Sequence, residues 1–97
     1  MELGKVVGTV VSTVKDPKLQ GSKLLIVNLM QPDGTLGKSH VVAVDTVGAG
    51  VEEVVIIVRG SSARQAKGME TVPTDTSIIG IVDTLEYQGT IVFQKNQ

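Results

Sequence analysis

The side chains that could do chemistry are few and scattered. His40 is the only histidine, and cysteine is absent. A protein metal site takes three or four His, Cys or carboxylate ligands, so a lone imidazole cannot build one. Asp45, Asp75 and Asp83 could supply an acid and a base, yet each stands beside a turn or a strand end, where aspartate is ordinary. Ser61-Ser62 invites a nucleophile reading, but the G-x-S-x-G elbow is broken because position 64 is arginine. The pair reads instead as a strand stop followed by a helix cap. No G-x-x-x-x-G-K-[ST] or G-x-G-x-x-G pattern is present, so the glycine-rich pieces lack the mechanism of a phosphate cradle. Tyr87 and Phe93 are the only aromatic residues. Binding single-stranded nucleic acid rests on aromatic stacking and a basic groove. The residues therefore predict no catalytic, cofactor or metal site.

What the chain offers in place of chemistry is a pattern of short strands and tight corners. Residues 5–14, KVVGTVVSTV, alternate, but both faces carry valines. The same two-sided apolar character marks residues 24–30 and 54–58. An antiparallel sheet with one wet face alternates more cleanly than this. One face is therefore expected in a core and the other against a neighbour. Asp16-Pro17 and Gly21-Ser22 bracket a loop, and Gln31-Pro32-Asp33-Gly34 reads as a β-turn. Further strands are predicted over 38–45, 78–87 and 90–94, with the last two joined at Gln88-Gly89. Residues 61–67 are the one helix expected, and 69–77 a loop crossing the barrel. Five to six short strands and one short helix before a final hairpin predict an all-β Greek-key barrel of the OB type.

Composition limits the partners. A lone domain of 97 residues buries only roughly 65% of its unfolded surface. Yet 41% of its residues are hydrophobic, and the economical cover for the excess is an identical subunit. A formal net charge of −1 gives no electrostatic case for nucleic acid or an anionic membrane. The absence of cysteine fits a reducing cytosol. No run reaches the ~18 apolar residues of a membrane span, and no signal segment opens the sequence.

The most informative stretch runs from Asp45 to Arg64, DTVGAGVEEVVIIVRGSSAR. A β-branched strand sits there between Gly48-Ala49-Gly50 and Gly60-Ser61-Ser62. Glycine at such corners permits positive φ or the close approach of another chain. This segment resembles the vertex proteins of bacterial microcompartment shells, the ethanolamine-utilisation and carboxysome pentamer family, whose pattern is D-x-VGAG-x-GE-x-V-L followed by GSSAR. Gly4, Gly8, Thr13, Lys15, Pro17, Leu19, Gly21 and residues 23–25 fall in matching places, as do Val42-Ala43-Val44-Asp45, Pro73-Thr74-Asp75 and residues 79–83. One departure is Glu52, which stands where the family has glycine. If that glycine needs positive φ, the corner is expected to take a different backbone here.

The resemblance implies a β-barrel assembling as a homopentamer at shell corners in the bacterial cytoplasm, in contact with hexameric shell proteins, with no reaction and no cofactor. A nucleic-acid-binding OB module is the competing reading, opposed by the missing aromatics and basic residues. On the vertex reading the candidate assembly residues are Gly48, Ala49, Gly50, Glu53, Ser61, Ser62, Arg64 and Phe93. Arg64 is either a solvated helix residue or a fork bonding an adjacent subunit. Phe93 is expected to anchor a core or an interface. Residues 1–87 read as the barrel domain, and 88–97 as a terminal strand with a polar tail. The tail, residues 94–97, is expected to be solvated and removable.

Overall fold

A computed structural model describes residues 1–13, 16–60, 63 and 75–95. The strands are β1 (Glu2–Val10), β2 (Lys23–Met30), β3 (Leu36–Asp45), β4 (Val54–Arg59), β5 (Thr76–Ile81), β6 (Thr84–Tyr87) and β7 (Thr90–Gln94). The first five close a barrel in the order β1-β2-β3-β5-β4, and β6-β7 form a separate two-stranded hairpin. All barrel pairs are antiparallel except β3 with β5. This is the OB-type Greek-key barrel that the strand pattern predicts. The expected helix over 61–67 and the loop residues 69–74 lie outside the described residues, apart from buried Ala63. A 3-10 turn at Pro17–Leu19 opens under Asp16, whose side chain accepts from the Lys18 N–H.

The core is aliphatic. Val6, Leu25, Val27, Ala43, Ala49, Val55, Ile57 and Ile78 are fully buried, with Leu29, Val41 and Ile81 packed against them. Gly4 makes room for this cluster: a Cβ there would overlap the Val27 side chain and lie 3.1 Å from the Asn28 carbonyl oxygen. The β1–β4 seam is clasped outside by Arg59, which donates to both Glu2 carboxylate oxygens at 2.7 and 2.9 Å.

Three strand boundaries differ from the sequence expectation. β1 ends at Val10, not at residue 14, because Val10 faces Leu24 and β2 supplies no partner much beyond it; Val11 is 89% exposed. Thr76 and Ser77, expected in a loop, belong to β5. Ser77 faces both Val44 and Val58, and its hydroxyl donates to the Ala63 carbonyl at 2.7 Å. The predicted strand over 78–87 breaks at Val82 and Asp83. The Val82 N–H donates to the Val54 carbonyl, the first residue of β4. The barrel ladder has no further partner there, so the chain leaves it.

The hairpin departs from the barrel and carries its own register, with Leu85 opposite Phe93 and Glu86 opposite Ile91. Gln88 and Gly89 both have positive φ, 52° and 80°, as the tight two-residue hairpin turn requires. Val92 rests over the β2–β3 turn, 3.4 Å from where a Gly34 Cβ would lie. Residues 94 and 95 are not a free tail. Gln94 pairs with Thr84, and the Lys95 N–H donates to the Asp83 carbonyl at 2.8 Å.

Candidate functional site

The glycine corner joins β3 to β4 and is stitched to β1. The Glu52 N–H donates to the Val6 carbonyl at 2.8 Å, and the Val6 N–H donates to the Glu53 carbonyl at 2.9 Å. Gly48 has φ 77°, a backbone that favours glycine. Gly50 has no such backbone: its φ is ordinary, and a Cβ there would meet only a Glu53 carboxylate oxygen at 3.6 Å. Ala49 is fully buried in the barrel core, and its carbonyl accepts the Lys23 ammonium at 2.6 Å. Its methyl group therefore serves the barrel's own interior.

Glu52 corrects the expectation of an altered corner. The Glu53 N–H donates to the Gly50 carbonyl, closing a turn whose third residue is Glu52 at φ 80°. The corner keeps the backbone that glycine favours and imposes it on glutamate. An ion pair with Lys5 at 3.1 Å accompanies this conformation. A left-handed non-glycine residue costs about 1–2 kcal/mol, whereas an exposed pair recovers little. Glu52→Gly is therefore expected to stabilise the protein by about 0.5–1 kcal/mol, read as a rise in the urea midpoint at unchanged slope.

Glu53 is the hub between corner and hairpin. One carboxylate oxygen accepts the Gly50 N–H at 2.8 Å and the other the Lys95 ammonium at 2.7 Å. The Lys95 hydrogen bond, and next the Gly50 N–H, hold the Glu53 carboxyl below its ordinary pKa. A depressed carboxyl contributes stability above its unfolded value, near 4.5, and loses it as pH falls through the lower folded value. Glu2 and Asp33 are depressed too, so a comparison isolates Glu53. Glu53→Gln is expected to flatten the fall in melting temperature between about pH 5 and 3.

Phe93 is half-buried beside this hub, in a cleft of about 240 Å³ shared with Val51, Val54 and Lys95. Ser61, Ser62 and Arg64 lie outside the described residues. Sequence reasoning missed Lys23 and Lys95. Both look like ordinary surface lysines, and their partners are 26 and 42 residues away. Among the described residues, no hydrogen bond or ion pair links His40, Asp45, Asp75 and Asp83 to one another. His40 is exposed, with Nδ1 3.1 Å from the Lys38 carbonyl. Asp45 contacts the Val47 N–H and Lys23, and Asp75 contacts Thr76. No cluster of three metal-ligating side chains exists among the described residues.

Several apolar side chains of the barrel, its corner and the hairpin are exposed. Val7, Leu36, Val42, Val47, Val51 and Ile91 are each at least 40% exposed. Leu3, Met30 and Ile56 also line an open groove of about 480 Å³ at one end of the barrel.

The described residues form a small closed barrel with exposed apolar side chains and bring no cluster of metal-ligating groups together. The family described as "Ethanolamine utilisation protein EutN/carboxysome" matches residues 1–83, and the chain belongs to it. The carboxysome shell vertex protein CcmL of Nostoc sp. is 46% identical over 96 residues, covering 98% of this chain and 95% of that protein. The microcompartment shell vertex protein GrpN of Rhodospirillum rubrum is 52% identical over 90 residues, covering 89% of this chain and 97% of that protein. A solved structure of GrpN, described as a pentameric shell protein, matches with a TM-score of 0.79 over 90% of this chain and 98% of that one. The structure of CcmL from Gloeobacter violaceus superposes with a TM-score of 0.94 over the whole of both chains at 41% identity.

Proposed function

We propose that this chain forms homopentamers at the vertices of a bacterial microcompartment shell. The observation that carries the reading is likeness over nearly its whole length to shell vertex proteins, one with a pentameric structure. The exposed apolar exterior supports it, because identical subunits meeting head to tail cover such surface and close into a ring. The role is geometric. A sheet of hexagonal tiles closes into a polyhedron only when pentagons occupy its corners. On this reading the protein works as a rigid wedge in the bacterial cytoplasm, beside hexameric shell proteins, and catalyses nothing.

Native mass spectrometry at micromolar concentration tests the ring directly. A species at five times the chain mass is expected, and monomer or dimer alone would sink the proposal. The glycine corner tests the contact with hexagonal tiles. Gly50 has ordinary φ, and a Cβ there would meet only a Glu53 carboxylate oxygen at ordinary contact distance, 3.6 Å, so Gly50→Leu is expected to fold and keep the pentamer. If the corner meets a tile at the ring's outer edge, shells formed with this variant should lack it or fail to close. Normal closure removes the corner from that contact.

A further inference from the structure

The hairpin and the barrel are separate sheets, so something other than a strand ladder must hold one to the other. The chain passes from β5 to β6 through Val82 and Asp83, and the Val82 N–H still binds the barrel at the Val54 carbonyl. Phe93 sits half-buried in an open cleft beside Val51 and Val54. Val92 lies over Gly34, where no side chain rises to meet it. The Lys95 ammonium reaches the Glu53 carboxylate at 2.7 Å. Among the described residues, no other hydrogen bond joins residues 84–95 to the barrel or its corner. The Lys95 N–H bond to the Asp83 carbonyl continues the Gln94–Thr84 pairing and closes the hairpin on itself.

Glu53 is anchored on the barrel side. Its carbonyl accepts the Val6 N–H at 2.9 Å, and its own N–H donates to the Gly50 carbonyl at 3.2 Å. Its carboxylate is shared: one oxygen takes Lys95, and the other accepts the Gly50 N–H at 2.8 Å. One side chain thus holds the hairpin and caps the corner backbone together. The Lys95 side chain is 37% exposed and that of Glu53 23%. An ion pair so open to water is weak, so this tie opens readily.

We propose that residues 84–95 form an arm that lifts from the barrel as a unit about Asp83, and that Glu53 is the latch that holds it and couples its position to the glycine corner. The proposal concerns the single chain and goes beyond its assembly into rings. When Lys95 leaves, Glu53 loses the cation that fixes its side chain, and the Gly50 N–H loses part of its cap. A two-stranded hairpin is marginal on its own in water, so the lifted arm also exposes its ladder amides. The barrel does not need the arm: five strands close it, and its buried cluster takes no residue from the hairpin. Lifting the arm therefore costs far less than unfolding the barrel. A partner that seats or lifts the arm thereby changes the backbone cap at the corner.

Amide hydrogen exchange on the full chain, read residue by residue by NMR over a series of low urea concentrations, tests this. In the parent, residues 84–95 should exchange with a much weaker urea dependence than Leu25, Val27 and Val55, because their opening uncovers little surface. Lys95→Met keeps an apolar stem and removes the charge. It should speed exchange of the hairpin amides and of Gly50 about threefold and leave the core amides unchanged. Glu53→Gln approaches the latch from the barrel side and should free the hairpin likewise. Hairpin rates and urea slopes equal to those of the core would show one rigid unit and overturn the proposal. Hairpin amides without protection in the parent would overturn it too, since the arm would already be loose. A hairpin unchanged in both variants removes the latch, and a faster hairpin beside an unchanged Gly50 in Lys95→Met removes the coupling.

Discussion

Gly4→Val is expected to unfold the protein or leave it barely stable. Gly4 is buried on the inner face of β1, and even one added carbon would overlap the Val27 side chain. The Asn28 carbonyl oxygen, 3.1 Å from the same point, is strand backbone and cannot move aside cheaply. Val27 cannot yield either, since it is fully buried in the central cluster. Overpacking a core costs about 1–3 kcal/mol, and more where backbone must shift. Valine adds two further carbons, so about 3 kcal/mol or more is expected, a large part of the 5–15 kcal/mol typical of a domain. Urea unfolding followed by circular dichroism measures it. Gly8→Ala is the control: Gly8 lies on the same strand but faces outward, and its nearest atom is the flexible end of Ile26. A midpoint for Gly4→Val within error of the parent's would mean that the barrel wall is far more pliant than this packing implies.

The barrel was legible in the sequence because its strands are short, β-branched and separated by Gly, Pro and Asp turns. The two-sided apolar runs led to the expectation of one face in a core and the other against a neighbour; in the 5–14 run Val6 is buried and Val7 and Val11 are exposed. Three features were hidden for physical reasons. The break at Val82 and Asp83 has only the aspartate as a local sign, and it falls where the barrel ladder ends because β4 begins at Val54. The left-handed Glu52 could not be anticipated from residue type. Its conformation is imposed by the turn closed onto Gly50 and by the pairing with Val6. The roles of Lys23 and Lys95 depend on contacts across the fold, which no local pattern encodes.

Removing the Phe93 side chain is expected to loosen both hairpin and ring. The hairpin projects from the barrel and is held at its base by a small set of contacts. Phe93 sits in the cleft against Val51 and Val54, Lys95 binds Glu53, and the Lys95 N–H reaches Asp83. A two-stranded hairpin is marginal alone, so its orientation depends on this base. Tyr87 and Ile91, on opposite faces of the hairpin, are both exposed, and a neighbouring copy would cover apolar surface there in the proposed ring. Phe93→Ala deletes the largest apolar anchor; because Phe93 is only half-buried, about 2 kcal/mol is expected, below the 3–5 of a fully buried Phe→Ala. Sedimentation velocity should show the pentamer dissociating at higher concentration than the parent, or aggregation through the exposed cleft. Two truncations sharpen the result. A chain ending at Lys95 keeps every described contact of the base and should assemble normally. A chain ending at Phe93 loses the Gln94–Thr84 pairing and both Lys95 contacts, and should shift toward the Phe93→Ala behaviour. If Phe93→Ala stays fully pentameric with unchanged thermal stability, the hairpin base contributes to neither fold nor ring, and the apolar contact between copies must lie wholly on the barrel.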